Sequence, residues 1–212
     1  MKKKWGVGHW ALVVALVLMG LGWAVPALLH YVQLSIVQGR ETLKGREILL
    51  ALNAYAAEHD GRYPEGATAN DAFRWLFKGG YVTNEYLFGS SYYQANGNIG
   101  TAPDFAEALA AGENGWAMTK GLSNKADPAT PLICENPLRA TWPPLWDAKA
   151  LGSSKPGRIW PDWTVMVGRV DGSVYAERLV RTDRTTTTLR PIQDGKNLFE
   201  LAGPHEILQV EE

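Results

Sequence analysis

The chain has 212 residues and a formal charge of −1, which becomes −4 when the three lysines at positions 2–4 are left out. This balance argues against nucleic acid as a partner, because proteins that bind it present a basic face to the phosphates. The single cysteine, Cys134, excludes an intramolecular disulfide, so packing or assembly must stabilise the fold.

An apolar segment follows these lysines, and no Asp, Glu, Lys or Arg appears in it before Arg40. Residues 10–29 form a stretch long enough to cross a bilayer as a helix, since about 20 apolar residues are needed. Positive charge stays on the cytoplasmic side, which predicts a single pass through the cytoplasmic membrane with an extracytoplasmic C-terminal part. A cleaved signal peptide ending near residues 25–27 is the alternative, but the long apolar run favours retention.

The helix is predicted to continue past the membrane, bent at Pro26, and to end near Glu58, because Asp60 and Gly61 favour a stop. Apolar residues recur along it at spacings of three, four and seven. They form one stripe: Leu29, Val32, Ile36, Leu43, Leu50, Ala54 and Ala57. We expect the part at 43–57 to pack against the head. Leu29, Val32 and Ile36 are expected to contact other helices, with the small Gly39 permitting close approach.

These patterns divide the chain into three parts: 1–30, with the cytoplasmic lysines and the transmembrane segment; 31–60, an amphipathic stalk helix; and 61–212, an extracytoplasmic head. The head begins with a short helix that Thr68 or Asn70 caps and that Gly79 ends. A second helix is expected from Thr101 to Gly112. Prolines and turn residues then predict a long irregular loop over 121–157.

The clearest strand signal lies at 163–169 and 173–180, joined by Asp171 and Gly172 in what we predict to be a two-residue hairpin turn. Residues 185–189 are a further candidate strand. Parallel strand–helix–strand units are not apparent. The predicted fold class is therefore α+β, with the long N-terminal helix packed on a small antiparallel sheet, and the hairpin lying against the apolar stripe of the helix.

The run ALNAYAAEHDGRYPEG at 51–66 resembles the segment of bacterial pilin-like proteins, related to the G-type pseudopilins of type II secretion, where the stalk helix meets the head. The matching positions are Leu52, Tyr55, Gly61, Tyr63 and Pro64, and the hairpin residues Asp171 and Gly172 fall in the family's order. The resemblance implies a pilin-like fold and a structural or assembly role in a type II secretion or type IV pilus-like apparatus. Its implied partners are the membrane and other pilin-like subunits or secretion-apparatus proteins.

The N-terminus departs from that family. Members cut by prepilin peptidase carry a glycine before the cut and a glutamate five residues into the mature helix. Here the fifth residues after Gly6 and Gly8 are Ala11 and Val13, and no glutamate lies in the apolar segment. The departure favours a pilin-like head that remains anchored by its own helix.

Residues that carry chemistry form no catalytic or metal-binding motif. The histidines His9, His30, His59 and His205 are scattered, and HExxH, CxxC, P-loop and G-x-S-x-G patterns are absent. The sequence therefore predicts neither an enzyme nor a cofactor. Calcium binding at Asp171 stays open, although a turn already explains an Asp-Gly pair.

A second functional class is a membrane-anchored binding module that recognises a glycan or a peptide. Its candidate residues are four tryptophans in and beside a proline-rich region, Trp142, Trp146, Trp160 and Trp163. Flat aromatic faces stack on sugars and on peptide prolines. The simpler interpretation, which we favour, is that these rings pack the long loop onto the sheet.

Overall fold

The computed structural model describes residues 7–90, 94–152 and 156–212. Lys2, Lys3, Lys4 and Gly6, which bear on the topology and on processing, lie outside these ranges. The chain forms two compact units, Met1–Arg40 and Glu41–Glu212, and we call the second the head unit. Helix α1, Val7–Glu58, is continuous and contains Pro26. The prediction of one helix that ends near residue 58 is confirmed.

From Val7 to Arg40 the first unit is helical, and its described side chains are largely apolar and exposed. Over the described residues, α1 is the one helix long and apolar enough to cross a membrane. A helix satisfies its own backbone hydrogen bonds, which is what a bilayer core requires of a spanning segment.

The head unit is built on a seven-stranded antiparallel sheet. Its strands are β1 (Trp116–Thr119), β2 (Pro131–Glu135), β3 (Trp146–Asp147), β4 (Thr164–Arg169), β5 (Val174–Arg181), β6 (Thr186–Leu189) and β7 (Ile207–Leu208), in the order β3-β6-β5-β4-β2-β1-β7. Two short helices accompany it, α2 (Ala69–Lys78) and α3 (Leu198–Ala202). The molecule is therefore of the α+β class, as predicted.

Strands β4 and β5 form the predicted hairpin, with Gly168 opposite Val174. Its turn is longer than the predicted two residues, because only Gly172 has a positive φ, of 82°. A two-residue type I′ turn needs positive φ at both central positions, and Asp171 does not meet this condition. The Arg169 N–H donates to the Ser173 carbonyl at 2.9 Å across the longer loop.

Two further predictions for the head are wrong. Residues 101–112 form turns rather than a helix, because Phe105 and Leu109 have φ of 45° and 54°, outside the right-handed region. The segment 121–157 is not a continuous irregular loop, since it contains β2 and β3. Pro131 is the first residue of β2, a position at which proline is tolerated in a sheet.

The sheet covers a different face of α1 from the predicted stripe. Leu43 and Leu50 are 58% and 71% exposed. Over residues 41–58 the buried positions are Glu41, Gly45, Ile48, Leu49, Ala51, Leu52 and Ala56. At Gly45 a Cβ atom would lie only 3.0 Å from Trp116 and 3.2 Å from Val174. Because Gly45 has no side chain, the sheet can approach the helix closely there. Gly45 therefore determines which face of α1 packs against the sheet.

Helix α2 packs a second apolar layer onto the head. Thr68 caps it, as predicted, by accepting a hydrogen bond from the Asp71 N–H at 3.1 Å. The rings of Phe73 and Phe77 lie 4.9 and 5.6 Å from that of Phe88, measured between centroids. These contacts hold α2 against the segment that carries Phe88.

Candidate functional site

The candidate assembly residues of the first unit are all exposed. Leu29, Val32 and Ile36 are 58%, 44% and 52% exposed, although all three are apolar. Gly39 is exposed too, and a Cβ atom added there would meet no neighbour within 4 Å. This part of α1 therefore offers an apolar surface with a small residue beside it.

The residues that carry the pilin-like resemblance build the corner where α1 ends. Leu52 is completely buried, and Tyr63 and Pro64 are buried after the turn. Gly61 has a φ of 83°, and its N–H donates to the Ala56 carbonyl at 2.8 Å. Glycine suits this left-handed position because a Cβ atom is unfavourable there.

Tyrosines hold this corner in place through both their rings and their hydroxyls. The Tyr63 hydroxyl donates to Asn53 Oδ1 at 2.9 Å, which ties the outgoing chain back to the helix. The half-buried Tyr55 ring stacks on His59 with centroids 3.8 Å apart. Burial and the charge of Glu65 both raise the pKa of Tyr55. Leu52 and Tyr55, the Leu-x-x-Tyr pattern, thus help to hold the turn in which the chain reverses direction after α1.

Asp171 and Gly172 have a structural role in the β4–β5 turn. Asp171 Oδ1 accepts hydrogen bonds from the Ser173 N–H at 2.9 Å and from the Ser173 hydroxyl at 2.5 Å. Across the described residues, no group of three or more His, Cys, Asp and Glu side chains is arranged to hold a metal ion.

The four candidate ligand-binding tryptophans lie in different surroundings. Trp146 and Trp160 are buried, and both donate their indole N–H to Glu135. Trp146 donates to the Glu135 backbone carbonyl at 3.2 Å, and Trp160 donates to the Glu135 carboxylate at 2.7 Å. Trp142 is half-buried and donates to the Phe199 carbonyl at 3.0 Å. Trp163 is half-buried, with the Arg181 guanidinium 4.9 Å from its ring. The burial of two of the rings favours packing over a binding platform.

Sequence reasoning missed Glu135, which is the polar centre of the sheet. Its carboxylate is buried and accepts from Arg158 Nη2 at 2.6 Å, from the Trp160 indole and from the Met166 N–H at 2.8 Å. A buried charge requires such partners, because desolvation is costly. The signal in the sequence is a charged residue directly after the apolar run of β2.

A second buried carboxyl, Glu85, holds the loops beside α2. It accepts from the N–H groups of Leu109 at 2.5 Å and Gly97 at 2.9 Å. Burial raises the pKa of Glu85, and the neighbouring Glu113 raises it further, while the two N–H groups act in the opposite direction. Glu85 therefore ties one N–H group of the turns at 101–112, that of Leu109, to the loop that contains Gly97.

Cys134, His59 and His205 lie in three different surroundings. Cys134 is buried within β2, and burial raises the pKa of its thiol, so the reactive thiolate is disfavoured. His59 is exposed at the end of α1, and the His205 ring packs against Trp142. The described residues thus offer surfaces for contact and buried polar clusters that stabilise the fold. No family model, curated protein or solved structure matches this chain.

Proposed function

We propose that this chain is a pilin-like structural protein, anchored in the membrane by α1, that assembles with other helices through its exposed apolar surface. The proposal places the lysines in the cytoplasm and the head outside the cytoplasmic membrane. It makes the chain a subunit of a type II secretion or type IV pilus-like apparatus. The resemblance at 51–66 and the long apolar helix support it.

The observation that carries the proposal is the exposure of Leu29, Val32 and Ile36. About 20 residues suffice to cross the bilayer core, and residues 10–29 provide them. Val32 and Ile36 follow that stretch and remain 44% and 52% exposed. Apolar surface that leaves the lipid is stabilised by contact with another apolar surface. A second helix provides such a surface, and Gly39 allows its backbone to come close.

Cross-linking in native membranes tests this proposal. Val32→Cys, Ile36→Cys and Gly39→Cys are each expected to give disulfide adducts with a second copy or with a partner protein. Cys134 is retained, because burial and its raised pKa keep it unreactive. Gln33→Cys, at an exposed polar position of the same helix, reports the background from random collision.

Charge substitution provides the matching loss-of-function test. The double variant Val32→Glu, Ile36→Glu is expected to lower the adduct yield of Gly39→Cys about tenfold, because carboxylates resist transfer into an apolar contact. Gln33→Glu adds a carboxylate nearby and is expected to leave the yield unchanged. Absence of adducts above the Gln33→Cys background at all three positions contradicts assembly and favours the anchored binding module.

A further inference from the structure

An open cleft of about 580 Å³ lies in the head unit at the C-terminal end of α1. The end of the helix, the turn that follows it and α2 all contribute side chains to its wall. Tyr55 and Glu58 come from α1, Asp60 and Glu65 from the segment after it, and Trp75 from α2. The cleft combines aromatic rings with carboxylates.

The exposure of Trp75 is not explained by packing. Five other tryptophans of the head unit are buried or half-buried, whereas Trp75 is 46% exposed. An ammonium group already lies against it, since Lys78 Nζ is 4.9 Å from the ring centroid. The negative π-face of an indole attracts cations in this geometry. Tyr55 supplies a second ring, fixed between His59 and Tyr81 by contacts of 3.8 and 5.6 Å between centroids.

Charge in the cleft favours a cation. Among the residues that line the cleft, Glu58, Asp60 and Glu65 outnumber the one arginine, Arg62, and they still outnumber the cations when the Lys78 ammonium at the Trp75 ring is counted. Glu58 already accepts from the Tyr81 hydroxyl at 2.6 Å. In the described part of the chain neither Asp60 nor Glu65 forms an ion pair. The C-terminal end of α1 adds the partial negative charge of its last carbonyls.

We propose that this cleft binds an alkylammonium group, held against Trp75 and Tyr55 and neutralised by Asp60 and Glu65. The aromatic faces attract the cation and remove its alkyl part from water, and the two carboxylates favour a positively charged ligand. A lysine side chain of a peptide and a free small amine share this chemistry. The site belongs to the head unit alone and does not depend on assembly through the first unit.

Titration of the full chain tests the proposal. The protein is kept in dodecyl maltoside, a detergent without an ammonium headgroup that would compete. The probes are N-acetyl-lysine methylamide, its uncharged counterpart N-acetyl-norleucine methylamide, and tetramethylammonium chloride. The Trp75 indole N–H resonance is expected to shift saturably with the lysine probe and to be unmoved by the norleucine probe. Tighter binding of the lysine probe than of tetramethylammonium assigns the ligand to a peptide, and the reverse assigns it to a small free alkylammonium ion.

Variants separate the site from general electrostatics. The double variant Asp60→Asn, Glu65→Gln is expected to weaken the lysine probe about tenfold. Asparagine tolerates the positive φ of 55° at position 60, so the turn is preserved. Glu47→Gln removes an exposed carboxylate of α1 outside this cleft and is expected to leave the affinity unchanged. Trp75→Leu, measured by calorimetry, is expected to weaken binding while the thermal midpoint stays the same.

Three results overturn the proposal. The first is a shift of Trp75 that does not saturate with either cation, and the second is an equal response to the norleucine probe. The third is a loss of affinity in Glu47→Gln as large as that in the double variant. None of these results bears on cross-linking at positions 32, 36 and 39, so the two proposals fail independently.

Discussion

At the scale of single residues, Glu135 shows how one side chain unites separate strands. Its carboxylate receives hydrogen bonds from Arg158, from Trp160 and from the backbone of β4, all within 2.8 Å. The guanidinium of Arg158 also lies 4.1 Å from the Trp160 ring centroid. Two of the four tryptophans that sequence reasoning offered for ligand binding are thus committed to Glu135.

Removal of this carboxylate is expected to destabilise the head strongly. Glu135→Ala leaves the buried Arg158 without its counter-charge, which costs about 3–5 kcal/mol for a buried ion pair. Glu135→Gln keeps a hydrogen-bond acceptor but loses the charge, so the loss of stability should be smaller than in Glu135→Ala. The measurement is the midpoint of urea unfolding of the full chain, followed by tryptophan fluorescence.

The matched control for Glu135 is an ion pair at the surface. Glu206→Ala breaks the ion pair between Glu206 and Lys120, and both of these side chains are exposed. This variant is expected to change the urea midpoint little. A midpoint for Glu135→Ala close to that of Glu206→Ala would show that the buried cluster does not hold the strands together.

At the scale of elements, α1 shows where sequence patterns stop being informative. The helix carries apolar residues on more than one side, so the spacing of Leu43 and Leu50 predicts a core face that the structure does not have. The face that the sheet covers includes Gly45 and Ala56, which hydropathy weights weakly. This face packs against the sheet because Trp116 and Val174 fit against Gly45. Both residues lie far along the chain from Gly45, so a local sequence pattern does not reveal the contact.

Other elements were predictable because their signals are local. The β4–β5 hairpin and the Thr68 cap depend on residues within a few positions of one another, and both are confirmed. The end of α1 before Gly61 is likewise a local signal, because Asp60 and Gly61 favour a stop there. The cleft beside it was not predictable, because Trp75 reaches it only through the placement of α2.

The close approach at Gly45 makes a prediction for this element. Gly45→Leu is expected to destabilise the head by about 1–3 kcal/mol, because the side chain has to displace Trp116 or Val174. Gly39→Leu meets no neighbour within 4 Å and improves helix propensity, so it should leave the head intact. Equal urea midpoints for the two variants would mean that the helix can withdraw from the sheet at little cost.

At the scale of the whole molecule, the division into Met1–Arg40 and Glu41–Glu212 separates the apolar segment from a unit with its own core. The last 18 residues of α1, Glu41–Glu58, belong to that second unit. Ile48, Leu49 and Leu52 are fully buried there. A boundary drawn at residue 61, as the sequence predicts, would remove them from the head.

This division predicts which fragment folds. Residues 41–212 are expected to give the near-UV circular dichroism of a packed head, whereas 59–212 should lack it. Burial of Ile48, Leu49 and Leu52 contributes about 1.5–3 kcal/mol each, and together this is comparable to the whole stability of a domain, about 5–15 kcal/mol.

Two point variants of fragment 41–212 test whether packing of the helix, rather than the greater length of this fragment, stabilises the head. Leu49→Ala is expected to cost about 2–5 kcal/mol, because it opens a cavity against Gly168 in β4. Leu50→Ala, one residue further along the helix and 71% exposed, should cost far less. If Leu50→Ala proves as damaging as Leu49→Ala, or if 59–212 folds as well as 41–212, then the helix is not part of the core of the head, and its end would serve only as a tether.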